Sequence, residues 1–124
     1  MKTTCGAHVL HDGLVDMLYA LLPLLRDAFG LTYVEVGLIR SAHKTATSAF
    51  QIPVGIWSES TGARLPLVLG TAIAGMSFVL LGSSTGFWGT LVFVFLAGCG
   101  GAFQHPVASS LISKTFDGEG QKTA

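Results

Sequence analysis

The stretch that decides the fold runs from Leu65 to Ser113 and reads LPLVLGTAIAGMSFVLLGSSTGFWGTLVFVFLAGCGGAFQHPVASSLIS. Its 49 residues include no Asp, Glu, Lys or Arg. A soluble helix of this length needs charges on its outer face, whereas one transmembrane helix needs about 20 mostly apolar residues. The stretch therefore predicts two membrane spans joined at the polar turn Ser83–Gly86. The small residues 97–102 (AGCGGA) predict a close approach of the second span to a neighbouring helix.

The overall composition also indicates a membrane protein. Of the 124 residues, 50% are hydrophobic and 11% are charged, whereas soluble domains carry about 25% charged residues. The formal net charge is zero. No basic patch is present to attract a nucleic acid, so we expect no nucleic-acid partner.

Two further apolar segments precede this hairpin, with a short break at residues 30–33 and a polar break at 58–66. We therefore predict an all-α membrane protein with four transmembrane helices. The helices are expected at about residues 7–29, 34–57, 66–83 and 87–113, in one bundle over residues 1–124. With the N-terminus inside, the cytoplasmic side carries most of the cations, as the positive-inside rule requires. These cations are Lys2, Arg64, Lys114 and Lys122.

The first two segments carry charged side chains at depths where charges are costly. At about 100° per residue, the polar residues of each segment fall within an arc of ~140°. The first arc holds His8, His11, Asp12, Asp16, Tyr19 and Pro23, and the second holds Arg40, His43, Lys44, Thr47, Ser48 and Gln51. A charge at the bilayer centre costs about 3 kcal/mol unless it is paired or hydrated. An acidic face and a basic face therefore indicate a polar cavity between the two helices.

Across this cavity, Asp12 and Asp16 are expected to pair with Arg40 and Lys44. Asp12 is the best candidate for proton coupling, because a carboxyl that alternates between water and a cationic partner takes up and releases protons. His8 and His11 titrate in the useful range, and His43 and Gln51 are expected to line the opposite wall. For Arg40 and His8 an alternative stays open, since both side chains can reach the membrane interface by snorkelling.

The histidines leave a second class of site open. Together with the cysteines, they are the residue types that bind metals or haem. His8 and His11 have the spacing of one helical face, but no second histidine pair matches them. We therefore predict no metal site and no cofactor. The alternative is a self-contained four-helix membrane protein that binds haem or metal.

The segment at residues 55–64 (GIWSESTGAR) resembles the loop motif of the major facilitator superfamily. That motif lies between helices two and three and contains a glycine, an acid, a second glycine and several basic residues. The positions that fit are Gly55, Glu59, Gly62 and Arg64. Ser60 and Ala63 stand where the motif has basic residues. The resemblance implies a cytoplasmic gate loop whose ion pairs are reduced to Glu59 and Arg64.

Further motifs resemble the fosmidomycin-resistance efflux transporters of that superfamily. They are His8-x-x-x-Asp12, Leu22-Pro23, the segment 29–33, Gly37-Leu38, Gln51-x-Pro53-x-Gly55, and Gly98-x-Gly100 followed by His105-Pro106. The resemblance implies twelve helices in two six-helix halves, with the site between the halves. The chain would then be the first third of that fold, a partial N-terminal transmembrane bundle.

These expectations describe a fragment of a secondary active transporter rather than an enzyme. The transporter would move a small solute across the cell inner membrane by alternating access with proton coupling. The cations suggest an anionic substrate, and His105 is expected on the cavity side of helix four. The expected partners are the lipid bilayer, the solute, protons and the missing remainder of the transporter. A non-functional truncated remnant is the third alternative.

Overall fold

The computed structural model describes the backbone of residues 2–104 and the side chains from residue 16 to residue 104. This part of the chain forms four α-helices and contains no strand, which confirms the all-α prediction for it. The helices are α1 (Lys2–Phe29), α2 (Tyr33–Thr61), α3 (Arg64–Leu81) and α4 (Phe87–Gly101). The turns between them are short, so successive helices run in opposite directions.

The junction of α2 and α3 differs most from the prediction. The polar segment 58–66, predicted as a break, belongs largely to the two helices, because α2 continues to Thr61 and α3 begins at Arg64. The hydroxyls of Ser58, Ser60 and Thr61 donate to main-chain carbonyls one turn earlier, at 2.7, 2.8 and 2.9 Å. Since these hydroxyls are satisfied within the helix, their polarity does not end it.

The other helix ends shift by a few residues from the predicted ranges. α1 begins at Lys2, and the predicted turn at Ser83–Gly86 is confirmed between α3 and α4. The α-helical part of α4 ends at Gly101, after which the Phe103 N–H donates to the Gly100 carbonyl at 3.3 Å. The rest of the predicted fourth helix, residues 105–113, lies outside the described residues.

The turn between α1 and α2 is fixed by local sequence. Gly30 has a φ of 62°, a left-handed conformation that glycine adopts without a steric penalty. The Leu31 N–H donates to the Arg26 carbonyl at 3.0 Å. A capping box then starts α2, because Thr32 Oγ1 accepts from the Glu35 N–H at 3.2 Å and the Glu35 carboxylate accepts from the Thr32 N–H at 2.8 Å.

All four helices contribute to one hydrophobic core. Its buried side chains are Leu18, Leu22, Leu31, Ile39, Leu81 and Val94. These residues lie toward the end of the bundle that carries the turns 30–32 and 82–86. The core therefore ties the second half of α1 to the other three helices at that end.

Glycines allow α4 to approach α2 and α3 closely. A Cβ built on Gly98 would lie 2.5 Å from the His43 carbonyl oxygen, and one on Gly100 would lie 2.5 Å from the Ala74 nitrogen. A Cβ on Gly70 of α3 would overlap the Phe103 side chain. The prediction that the small residues of the fourth helix allow close packing is thus confirmed, and α2, α3 and α4 form one tightly packed unit.

The helices of the described region differ in how well they suit a bilayer. α3 is long and apolar enough to cross a membrane, and only 28% of its 18-residue apolar window is buried. The apolar helix α4 has 15 residues, about 22 Å at 1.5 Å per residue. Large apolar side chains on both helices are exposed, including Val68, Met76, Val79, Trp88 and Val92. Spans at α1, α2 and α4 stay predictions.

The close packing of α4 can be tested by adding one methyl group. We expect Gly98→Ala to lower the free energy of unfolding by about 1–3 kcal/mol, since the new Cβ meets the α2 backbone. The matched control is Gly75→Ala in α3, where a Cβ meets no atom within 4 Å. This control should be neutral or stabilise by up to about 1 kcal/mol. Denaturant titration in detergent measures both changes, and equal stability of the two variants would contradict the packing.

Candidate functional site

The predicted polar face of α1 is described only in part. Asp16 lies at the midpoint of α1, and its side chain is exposed. The backbone of His8, His11 and Asp12 belongs to the same helix, but their side chains lie outside the described residues. The structure therefore places one of the predicted acidic groups at mid-helix.

The predicted polar face of α2 is divided between two surroundings. His43 is 5% exposed and lies on the buried side of the helix. Thr47 Oγ1 lies 2.9 Å from the His43 carbonyl and 3.2 Å from the Gly98 carbonyl. His43 and Thr47 therefore belong to the contact between α2 and α4, at one edge of the predicted arc.

The rest of this face is open. Arg40 and Lys44 are exposed, and Gln51 is half-buried. The Arg40 guanidinium carbon lies 4.8 Å from the centroid of the Tyr19 ring, so a cation–π contact joins α2 to α1. The open face of α2 thus carries two cations and an amide, and Arg40 is the member that contacts α1.

The predicted ion pairs between the two faces are absent among the described side chains. Within residues 16–104, the ion pair found is Arg26–Asp27 at 3.5 Å. Asp16 is not within 4.0 Å of Arg40 or Lys44. The physical reason is that Arg40 lies against an aromatic ring of α1 rather than against a carboxylate. Pairing through Asp12 lies outside the described residues.

The charges on both helices lie at central depth. Lys44 is three residues before the midpoint of α2, which is about 4.5 Å along the helix axis. Asp16 occupies the midpoint of α1. If either helix crosses a bilayer, these charges lie near its centre, where they need water or a partner.

The predicted gate loop forms the sharp turn between α2 and α3. Gly62 has a φ of 81°, a conformation that favours glycine and explains why the motif has one there. Glu59 and Arg64 are both exposed, and no ion pair joins them in the described region. Because they are exposed, the Glu59 carboxylate and the Arg64 guanidinium are accessible to groups outside the described region. The Gly55 carbonyl accepts a hydrogen bond from the Ser58 hydroxyl.

Several contacts were not predicted from the sequence. Gln104 is 1% exposed, and its Nε2 donates to Thr71 Oγ1 at 2.9 Å, which joins the end of α4 to α3. The sequence feature that could have predicted this hydrogen bond is the single amide side chain in the uncharged stretch 65–113. Tyr19 was in the predicted arc, but its contact with a cation was not foreseen. His105, predicted on the cavity side, lies outside the described residues.

The described region gives no support to a metal centre. Among its side chains, no three His, Cys, Asp or Glu residues lie close enough together to hold an ion. Histidines 8, 11 and 105 are not covered by that statement.

Comparison with known proteins identifies the family. The family model of the Major Facilitator Superfamily matches residues 4–124. The fosmidomycin resistance protein of Escherichia coli is 30% identical over 103 residues, which are 83% of this chain and 25% of that protein. An uncharacterised MFS-type transporter of Methanocaldococcus jannaschii is 30% identical over 99 residues, 80% of this chain and 26% of that protein.

A third relative is the uncharacterised MFS-type transporter YfnC of Bacillus subtilis, 28% identical over 102 residues, with 82% of this chain and 25% of that protein covered. The chain thus spans about a quarter of the length of the curated relatives that it matches. No solved structure matches it. The match over residues 4–124 agrees with the order of the motifs along the chain, and the chain belongs to the Major Facilitator Superfamily, a family of membrane transporters and not of enzymes.

Proposed function

We propose that these 124 residues are the first four transmembrane helices of a longer secondary transporter. This transporter moves a small anionic solute across the cell inner membrane by alternating access, with coupled proton movement. The observation that carries the proposal is the family match over residues 4–124. The coverage of about a quarter of each relative supports the reading as part of a longer protein. In transporters built from repeats, the solute site lies between the repeats near the midplane.

The lengths of α1 and α2 support a span at each of these two helices. At 1.5 Å per residue, α1 and α2 are each about 42 Å long, more than the ~30 Å hydrocarbon core. With the N-terminus in the cytoplasm, the turn at residues 62–63 is cytoplasmic, and the turns 30–32 and 82–86 lie outside. Lys2 and Arg64 then lie on the cytoplasmic side, as the positive-inside rule favours.

A pathway between α1 and α2 gives the mid-helix charges a role. A charge exposed to lipid near the bilayer centre costs about 3 kcal/mol or more, and Asp16 and Lys44, at or close to the midpoints of their helices, are both exposed. We assign the region between the charged faces of α1 and α2 to a water-filled path, which the rest of the transporter would complete. Arg40 and Lys44 would attract the anionic solute, with His43, Gln51 and His105 nearby.

Proton coupling would use the acidic and imidazole groups of α1. A carboxylate near cations favours its charged form, whereas burial favours the protonated form. Asp12 or Asp16 would therefore exchange protons as the path opens to one side and then to the other. Histidine is a residue type that can transfer protons near neutral pH, so His8 and His11 would contribute to the same proton path.

The turn between α2 and α3 would act as part of the cytoplasmic gate. Glu59 and Arg64 flank Gly62, and both are exposed. They are therefore free to form ion pairs with other parts of the transporter when the cytoplasmic side closes. These ion pairs would form only when the cytoplasmic side is closed. An interaction made in one state only shifts the equilibrium between the open and closed states.

The proposed topology can be tested by cysteine labelling. In a background with Cys5→Ala and Cys99→Ala, Thr85→Cys should react with a membrane-impermeant maleimide in intact cells, whereas Ser60→Cys should not. Inverted membrane vesicles should give the reverse result, because the two turns lie on opposite sides of the membrane. The background protein without either cysteine is the control. Labelling of both positions from the same side would contradict the topology.

Transport can be tested with the full-length transporter in proteoliposomes that enclose a pH-sensitive dye. The first anions to test are fosmidomycin, because the Escherichia coli relative is named for resistance to it, and inorganic phosphate. Solute uptake should move protons and should stop when the pH gradient is collapsed. Lys44→Gln should raise the KM by about tenfold to a hundredfold, the effect of losing one hydrogen bond to a charged group.

Conservative variants serve as controls for this assay. Lys44→Arg should keep most of the affinity because it keeps the charge, and Asp16→Glu should keep proton movement. Asp12→Asn and Asp16→Asn together should uncouple uptake from the pH gradient. Gradient-driven uptake that persists unchanged in this double variant would contradict the proton role. A full-length protein that moves no tested anion would contradict transport of this solute class.

A further inference from the structure

The contact between Tyr19 and Arg40 holds a cation without neutralising it. The guanidinium carbon of Arg40 lies 4.8 Å from the ring centroid, within the ~6 Å at which a ring attracts a cation. A carboxylate at this position would remove the net charge, whereas a phenol ring leaves it in place. Arg40 is exposed, and Tyr19 is half-buried. The ring therefore restrains Arg40 while its positive charge stays available.

Lys44 places a second cation one helical turn away. Residues four apart on a helix lie on the same face, with Cβ atoms about 5–6 Å apart, and two like charges at this spacing repel each other. Within residues 16–104, no carboxylate lies within 4.0 Å of either cation. An oxyanion that contacts both cations offsets this repulsion. Binding of an oxyanion by the pair is therefore favourable.

A second stack in the same chain shows the contrast. The Arg26 guanidinium carbon lies 4.2 Å from the Tyr33 ring centroid, and Arg26 also pairs with Asp27 at 3.5 Å. That cation is neutralised by a neighbouring acid and lies at the turn between α1 and α2. It has a structural role in the turn, whereas the Tyr19–Arg40 stack lies away from the turn, and no acid among the described side chains of residues 16–104 pairs with Arg40.

We propose that Tyr19 is a positioning residue that holds Arg40 so that Arg40 and Lys44 together bind an oxyanion group of the solute. This inference rests on the proposed function and names a residue that acts on the same site. A side chain that is already restrained loses less conformational freedom when a ligand binds. Loss of the ring should therefore weaken anion binding although both cations remain.

The test measures how inorganic phosphate protects Arg40 from phenylglyoxal in the purified full-length transporter. Labelling of the Arg40 peptide is followed by mass spectrometry, and Arg64 labelling is the internal reference. Tyr19→Leu should raise the phosphate concentration for half-protection by about threefold to tenfold, the size of effect expected for a lost cation–π contact. Tyr19→Phe, which keeps the ring, should retain protection close to that of the unsubstituted protein.

Tyr33→Leu is the matched control, because it removes the other stack and should leave protection of Arg40 unchanged. Tyr19→Met is the second ring-less variant, used if Tyr19→Leu melts at a lower temperature. The inference is overturned if phosphate does not protect Arg40, if ring-less variants keep full protection, or if Tyr33→Leu weakens protection equally. Uptake is measured in parallel. Uptake with an unchanged KM in Tyr19→Leu would contradict this inference alone. Absence of all anion uptake would contradict the proposed function.

Discussion

The close approach of α4 to both α2 and α3 is the constraint on which the rest of the structure depends. In a bilayer, apolar side chains gain little by leaving lipid for another helix, so association relies on contact and hydrogen bonds. Gly98 and Gly100 bring the backbones together because neither has a side chain. The Thr47 hydroxyl lies 3.2 Å from the Gly98 carbonyl, and Gln104 binds Thr71 at 2.9 Å. None of these contacts needs a charge.

This packing determines which part of α2 remains open. Because Gly98 lies against the His43 carbonyl, the side of α2 that carries His43 and Thr47 faces α4. Arg40 and Lys44 lie farther around the helix and stay exposed. α1 joins the unit through the core at the end of the bundle with the turns 30–32 and 82–86, and through the Tyr19–Arg40 contact. Neutral packing and charged surface are thus separated on one helix.

Much of this arrangement was predictable from residue types along the chain. The uncharged stretch 65–113 predicted the turn between α3 and α4, and its glycines predicted close packing. Periodicity of polar residues predicted one polar face on α2. The predicted end of α2 near residue 57 was wrong, since the helix continues to Thr61. Ser58 and Ser60 donate hydrogen bonds to carbonyls of their own helix. Composition alone cannot distinguish such a polar helix end from a polar loop.

The partners of the charged side chains were harder to predict. A helical wheel gives the direction of each residue but not the rotation or height of one helix against another. Among the described side chains, Asp16 pairs with neither Arg40 nor Lys44, and the aromatic partner Tyr19 was not foreseen, although it lies in the predicted arc of α1. The burial of His43 depends on the position of α4, which no local pattern in α2 contains.

The proposed path requires that two exposed mid-helix positions meet different surroundings: water at Lys44 of α2, and lipid at Ala72 of α3, which faces away from the buried residues of that helix. Lys44→Cys and Ala72→Cys can be compared in the full-length transporter, with Cys5 and Cys99 replaced by alanine. The rate of reaction with a charged, membrane-impermeant thiosulfonate reagent measures access from water. Rapid reaction at position 44 and almost none at position 72 are expected. Equal rates, or faster reaction at position 72, would contradict the proposed path.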